Sequence, residues 1–161
     1  MTERQVKEII KLLKSKELVT RPALQQVFES EGYLWATDGY VAFEIAEVND
    51  VFKDACTSLD DLLKWSVSHQ KGELYNGFKK LEQSVPDMCK LLHCGTYDTI
   101  TKSPKFDIKK IKQCCDFLNC TQFTVKVNSY NEHLYQVIPI DDKMTPFERS
   151  MDSKAYIMGL K

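Results

Sequence analysis

Between Thr2 and Lys16 the apolar residues Val6, Ile9, Ile10 and Leu13 recur at i, i+3, i+4 and i+7, the period of one face of an amphipathic helix. Thr2 stands where an N-cap belongs, and Arg4, Lys7, Lys11 and Lys14 fall on the opposite side, relieved mainly by Glu3 and Glu8. After Pro22 the period changes. Leu24, Val27 and Phe28 lead to a turn at Glu31-Gly32, and the stretch from Tyr33 to Ala46 is rich in β-branched and aromatic residues, which predicts two or three strands. Asp38-Gly39 interrupts that stretch, so a tight hairpin or a bulged strand is expected there.

From about Asn49 to Ser103 the pattern reads as short helices outside the main sheet. Ser58 and Asp61 resemble a capping box before Leu62, Leu63 and Trp65, and Pro86 suits the first turn of a helix ended by Gly95. The final third repeats the opening. Ile108, Ile111, Cys115 and Leu118 predict the apolar face of a second helix, with Lys109, Lys110, Lys112, Gln113 and Asn119 around the rest. Three strand-like runs follow, Gln122 to Val127, Leu134 to Ile140 and Ala155 to Leu160, separated by Asn128-Ser129 and by a polar loop from Asp141 to Asp152. The expected organisation is α+β: helix then strands, a helical insertion at about 49–104, and helix then strands again.

A length of 161 residues suits one domain, so residues 1–161 are read as a single unit, with apolar and charged content in the ordinary globular range. No apolar run approaches the roughly 18 residues of a membrane span, and the charged amino terminus lacks a signal-peptide core, so a cytoplasmic protein away from membranes is expected. With no oxidising compartment indicated, the six cysteines read as free thiols. A net charge of −1 excludes a generic polyanion binder; contact with nucleic acid must rest on local segregation of charge.

The segment Tyr33-Leu34-Trp35-Ala36-Thr37-Asp38-Gly39-Tyr40-Val41-Ala42-Phe43 resembles the Ala-Thr-Asp-Gly strand signature of bacterial DNA polymerase sliding clamps. Lys105-Phe106-Asp107-Ile108-Lys109-Lys110-Ile111 is similar to the short strand that runs into a clamp helix, and Ala155-Tyr156-Ile157-Met158-Gly159-Leu160-Lys161 to the strand that closes a clamp, with Gly159 where clamps usually carry proline. The resemblance covers residues 1–48 and 105–161. It implies a DNA-clamp-like domain of two helix-plus-strands halves, with basic helices on one face and antiparallel sheets on the other. A clamp ring contains six such domains, so it also implies a homo-oligomer.

On that basis the chain is expected to do no chemistry and to work as a sliding-clamp-like protein that binds double-stranded DNA non-specifically, docks replication proteins, or both. The candidate phosphate contacts are Arg4, Lys7, Lys11, Lys14, Lys109, Lys110 and Lys112, since a face of Lys and Arg neutralises phosphates without reading bases. The bland alternative is a solvated helix face. A rival functional reading is a clamp-derived protein-binding module, such as a phage or mobile-element inhibitor or decoy of a host nucleic-acid enzyme, that does not encircle DNA.

Other chemistry has weaker support. Asp38 beside Gly39 reads as turn chemistry, with Thr37 and Asp38 hydrogen-bonding the backbone, rather than as a catalytic carboxylate. Cys89, His93 and Cys94, and Cys114, Cys115 and Cys120, form two groups without a CxxC spacing, and Cys115 falls on an apolar helix face, so no metal is expected. His69, His93 and His133 show no orienting partner for a nucleophile. No glycine-rich phosphate loop is present, and no cofactor is expected. Tyr130 and Phe147 are candidate anchors for a partner protein, against the plainer reading of a surface loop.

Overall fold

The computed structural model describes residues 3–21, 24–31, 33–47, 55–57, 64, 79–80, 85–101, 103–140 and 153–160. Helix α1 spans Glu3–Leu13 and is followed by a 3-10 turn at Lys16–Leu18. Strands β1 (Val27–Ser30), β2 (Tyr33–Thr37) and β3 (Val41–Glu47) come next, then the short β4 (Ala55–Thr57) and β5 (Lys79–Lys80). Helix α2 (Met88–Leu92) and β6 (Tyr97–Thr99) precede helix α3 (Ile108–Leu118) and the last strands β7 (Phe123–Asn128), β8 (Leu134–Pro139) and β9 (Lys154–Met158).

The strands form one sheet in the order β5-β4-β1-β2-β3-β9-β8-β7-β6. Every neighbouring pair is antiparallel. The order shows an internal repeat: α1-β1-β2-β3 and α3-β7-β8-β9 are each a helix followed by a three-stranded meander, and the two meanders join where β3 lies against β9. At that joint Val41 faces Ile157, Ala42 faces Tyr156, Phe43 faces Ala155 and Glu44 faces Lys154.

Period-two alternation divides the side chains between two cores. Leu34, Ala36, Val41, Phe43, Ile45, Ala155 and Ile157 pack with Ile9, Leu12 and Leu13 of α1 and with Cys114, Phe117 and Leu118 of α3. Phe43 and Phe117 stack with centroids 4.0 Å apart. Phe28, Trp35, Ala42 and Tyr156 belong to the second core, with Leu18, Leu24 and the α2 residues Met88, Cys89 and Leu92. The central strands are therefore buried on both faces, α1 and α3 covering one and α2 with the segment after α1 covering the other.

Local signals account for the element ends. Asp107 caps α3 by accepting from the backbone N–H of Lys109 (2.7 Å) and Lys110 (3.3 Å), and Asn119 ends it in the left-handed conformation. Asp87 caps α2 in the same way through the N–H of Lys90. The β2–β3 hairpin turns through Gly39 at φ 91°, so of the two alternatives the hairpin occurs at Asp38-Gly39; the β2–β3 pairing shifts register away from the turn, between Leu34 and Trp35.

Three expectations need correction. Ile108 is 79% exposed, and the buried stripe of α3 runs through Cys114, Phe117 and Leu118, because this helix shares its sheet face with α1 and turns its bulky ring toward Phe43. In α1 the buried set among the described side chains is Gln5, Glu8, Ile9, Leu12 and Leu13, with Ile10 at the margin, since α3 lies alongside and covers that flank; the expected Val6 side chain lies outside the described set. Within 49–104 the described residues include strands β4, β5 and β6 as well as helix α2: β6 extends the second meander by pairing with β7, through Tyr97 opposite Asn128. The expected N-cap Thr2, the capping box at Ser58 and the loop bearing Phe147 lie outside the described residues.

Candidate functional site

The seven basic residues expected to meet phosphates lie on α1, just past its end, and on α3, the two helices that share one face of the sheet. Four of them have carboxylate partners. Arg4 donates to Asn119 Oδ1 and Asp116 Oδ1, both at 2.7 Å, and Lys112 donates to Asp116 Oδ2 at 2.6 Å, so Asp116 ties the two helices together. Burial works to raise the Asp116 carboxyl, but the hydrogen bonds from Lys112 and Arg4 outweigh it and hold the group below its ordinary range. The same bond to Asp116 raises Lys112.

Lys11 pairs with the buried Glu8. Lys110 pairs with the buried Asp38, its ammonium 5.9 Å from the centre of the Tyr40 ring. Lys7, Lys14 and Lys109 are exposed, and among the described residues Lys14 and Lys109 form no ion pair. Between the helices runs a groove of about 400 Å³ where four lysines, Lys11, Lys109, Lys110 and Lys112, meet the carboxylates of Glu8 and Asp116. The expected basic face is present, and much of its charge is neutralised within the protein.

The other face carries an apolar pocket of about 340 Å³. One wall is the β2–β3 turn. Asp38 Oδ1 accepts the backbone N–H of Tyr40 and of Val41, both at 2.9 Å. Thr37 Oγ1 accepts from Gly39 N at 3.0 Å and donates to Val41 O at 2.8 Å. Asp38 thus has the turn-fixing role expected of it, and its remaining oxygen is taken by Lys110. Tyr40 O receives the Met158 N–H at 2.8 Å, tying the turn to β9. The opposite wall is α2. Leu91 and Tyr40 are 59% and 55% exposed, with Leu24, Leu92, Leu134 and Met158 deeper in. Arg21 lies at Gly39, its Nη1 2.7 Å from where a Cβ there would stand.

Behind α2 lies a polar cluster that the sequence reading did not single out. Glu44, buried in the middle of β3, receives Lys154 Nζ at 2.8 Å on one oxygen, and His93 Nε2 at 2.7 Å and Tyr156 Oη at 3.1 Å on the other. Burial, and then the Glu44 charge, push the Tyr156 hydroxyl far above its ordinary value. Tyr97 is pushed up to about 12 by burial, with Asn128 working against the shift and Glu44 adding to it, and its hydroxyl donates to Leu92 O at 2.8 Å. The His93 ring lies edge-on to Tyr33, 5.3 Å away, and 5.4 Å from Trp35. Both Glu44 oxygens are engaged, and neither Glu44 nor His93 lines the pocket, so the cluster acts as a fastening for α2. Its sequence signal was a lone charge inside the apolar run Val41-Ala42-Phe43-Glu44-Ile45-Ala46.

Among the described side chains the cysteines are free thiols, with Cys94 exposed and Cys115 partly buried. Cys89, Cys114 and Cys120 are buried, and burial pushes the Cys114 thiol well above its ordinary value, away from thiolate reactivity. Among the described residues no three His, Cys, Asp or Glu side chains converge as a metal site would require. His133 lies 3.8 Å from Glu132 at the surface, and Tyr130 is 80% exposed with its ring edge over Gly95. Among the described residues no helix is long and apolar enough to cross a membrane. No protein-family model matches this chain, and no curated protein or solved structure matches it either.

Proposed function

We propose that this chain is a non-catalytic, sliding-clamp-like docking protein whose sheet-face pocket receives a short apolar segment of a partner protein. The observation that carries the reading is the open apolar pocket between the Asp38–Tyr40 turn and α2, where Tyr40 and Leu91 are held out to solvent by a fully bonded turn and a fastened helix. Exposed apolar side chains on rigid supports bind with little ordering cost. The clamp-like assignment draws support from the two helix-plus-meander halves joined at β3 and β9, with both long helices on one face, and from the Ala36-Thr37-Asp38-Gly39 segment forming the turn. Replication proteins, or a host nucleic-acid enzyme for which the chain is an inhibitor or decoy, are the partner classes that fit, in a cytoplasmic setting.

The test is selection of peptides from a random display library on the wild-type protein, with Leu91→Asp as counter-selection. Enriched peptides that share an apolar centre and fail on Leu91→Asp support docking. Absence of enrichment, or binding indifferent to Leu91, overturns it.

Non-specific binding of double-stranded DNA along the helix face is the second reading, favoured by the exposed Lys7, Lys14 and Lys109 beside the groove. It requires a closed homo-oligomeric ring for sliding. Light scattering with and without duplex DNA separates the two readings: a six-copy particle supports the ring, and a monomer indifferent to DNA removes it.

A further inference from the structure

Polar groups in the pocket wall are mostly spent inside the protein. Thr37 Oγ1 serves both Gly39 and Val41, the Tyr156 hydroxyl donates to Glu44, and Asn131 Oδ1 accepts from His133 N. Arg21 is the single charged residue of the lining, it is exposed, and among the described residues it forms no ion pair. Its guanidinium rests in the space left by the missing side chain of Gly39, at the mouth of the pocket.

We infer that Arg21 selects for a carboxylate: the segment that docks in the pocket carries an internal Asp or Glu beside its apolar side chains, and the acid pairs with Arg21. The inference rests on the docking reading and specifies its partner. A guanidinium presents a planar fork of donors that a carboxylate matches in two parallel hydrogen bonds, whereas an amide can accept only one of them and carries no charge. Apolar walls raise the strength of such a pair by excluding water from it. The Arg21 charge also discriminates against a basic segment, which it would repel.

The experiment extends the same display selection to Arg21→Ala and Arg21→Glu in parallel with the wild-type protein. The expected result is an acidic residue at a fixed offset from the apolar centre in wild-type binders, no preference there with Arg21→Ala, and a basic residue with Arg21→Glu. A synthetic peptide from the wild-type pool should lose affinity by about tenfold on changing its acid to the matching amide, and the two forms should bind Arg21→Ala alike. Enriched apolar peptides without an acidic preference, or a preference that survives in Arg21→Ala, overturn the role of Arg21 and leave docking intact. If no peptide is enriched on the wild-type protein, docking falls and this inference falls with it.

Discussion

Lys110 and Asp38 join the two halves of the molecule: a lysine in the first turn of α3 delivers its ammonium to a buried carboxylate whose other oxygen holds the β2–β3 turn. Removing the lysine strands a buried charge, a change that typically costs about 3–5 kcal/mol when the pair is fully buried. Lys110 keeps some exposure, so Lys110→Met should lose about 2–4 kcal/mol in urea unfolding. Adding Asp38→Asn, which keeps the acceptor for the turn and removes the charge, should restore part of it. A loss below about 0.5 kcal/mol would show that the pair does not staple the halves.

Glu44 should respond in a different way. Glu44→Gln leaves Lys154 and His93 facing a neutral amide and should destabilise the protein by about 3 kcal/mol. Tyr156→Phe keeps the ring and removes one hydrogen bond, for about 1 kcal/mol. Hydrogen exchange supplies the sharper readout: in Glu44→Gln and His93→Ala the amides of Leu91 and Leu92 should lose protection ahead of those in β3. Unchanged protection in α2 would refute the fastening role of the cluster.

The stacked pair Phe43 and Phe117 binds α3 to the centre of the sheet. Phe117→Ala should cost about 3–5 kcal/mol through lost burial and a residual cavity, and Phe117→Leu clearly less. Calorimetry on the two variants orders them, and equal losses would mean that the site collapses around either side chain.

Acid sensitivity follows from Asp116. Its folded carboxyl lies below the ordinary value, because Lys112 and Arg4 outweigh burial, so its contribution is complete above the unfolded pKa of about 4 and is lost as pH falls through the folded pKa. Asp116→Asn should flatten the stability profile below about pH 4 and leave its shape from there to pH 8 unchanged. Lys112 has the opposite sign: raised by the same bond, it contributes below its unfolded pKa of about 10.4, and the contribution fades as pH rises beyond it.

If duplex DNA binds the helix face, the salt dependence counts the lysines that take part. Seven phosphate contacts would give a slope of log K against log salt near about −6; contacts by Lys7, Lys14 and Lys109 alone would give about −3. In the three-contact case, changing those three to Gln should abolish binding and Lys110→Met should leave the slope unaltered. A slope near −6 would mean that DNA draws Arg4, Lys11, Lys110 and Lys112 away from their carboxylates.

Local chemistry was legible in the sequence, and long-range placement was not. The hairpin at Asp38-Gly39 and the three closing strands each follow from neighbouring residues, whereas the helix expected between Pro86 and Gly95 is shorter, capped by Asp87 ahead of Met88 and by His93 after Leu92. The repeat was visible as two helix-plus-strand patterns, yet nothing local dictates that β9 adds to β3. The stripe in α3 was misplaced because Ile108 and Ile111 outweighed Cys114 and Phe117 in the pattern, while burial depended on what α1 left uncovered. That same rotation brings Lys110, four residues before Cys114, onto the inner side of its helix, and a reading weighted toward Phe117 would have found it. Arg21 gave no signal, since its place depends on the space above Gly39, three-dimensional information that a linear pattern does not hold.

The joint between β3 and β9 also constrains how the protein is made. β9 is the last strand in chain order, yet it occupies the middle of the sheet, between β3 and β8. A nascent chain with the first meander complete must wait on the ribosome for more than a hundred residues with the inner edge of β3 unpaired and Phe43 without the ring of Phe117. Until Lys154–Met158 emerges, each half presents an open strand edge of the kind that pairs with other chains. Closure of the sheet and escape from aggregation are therefore one event, and holdase chaperones have their window of action before it.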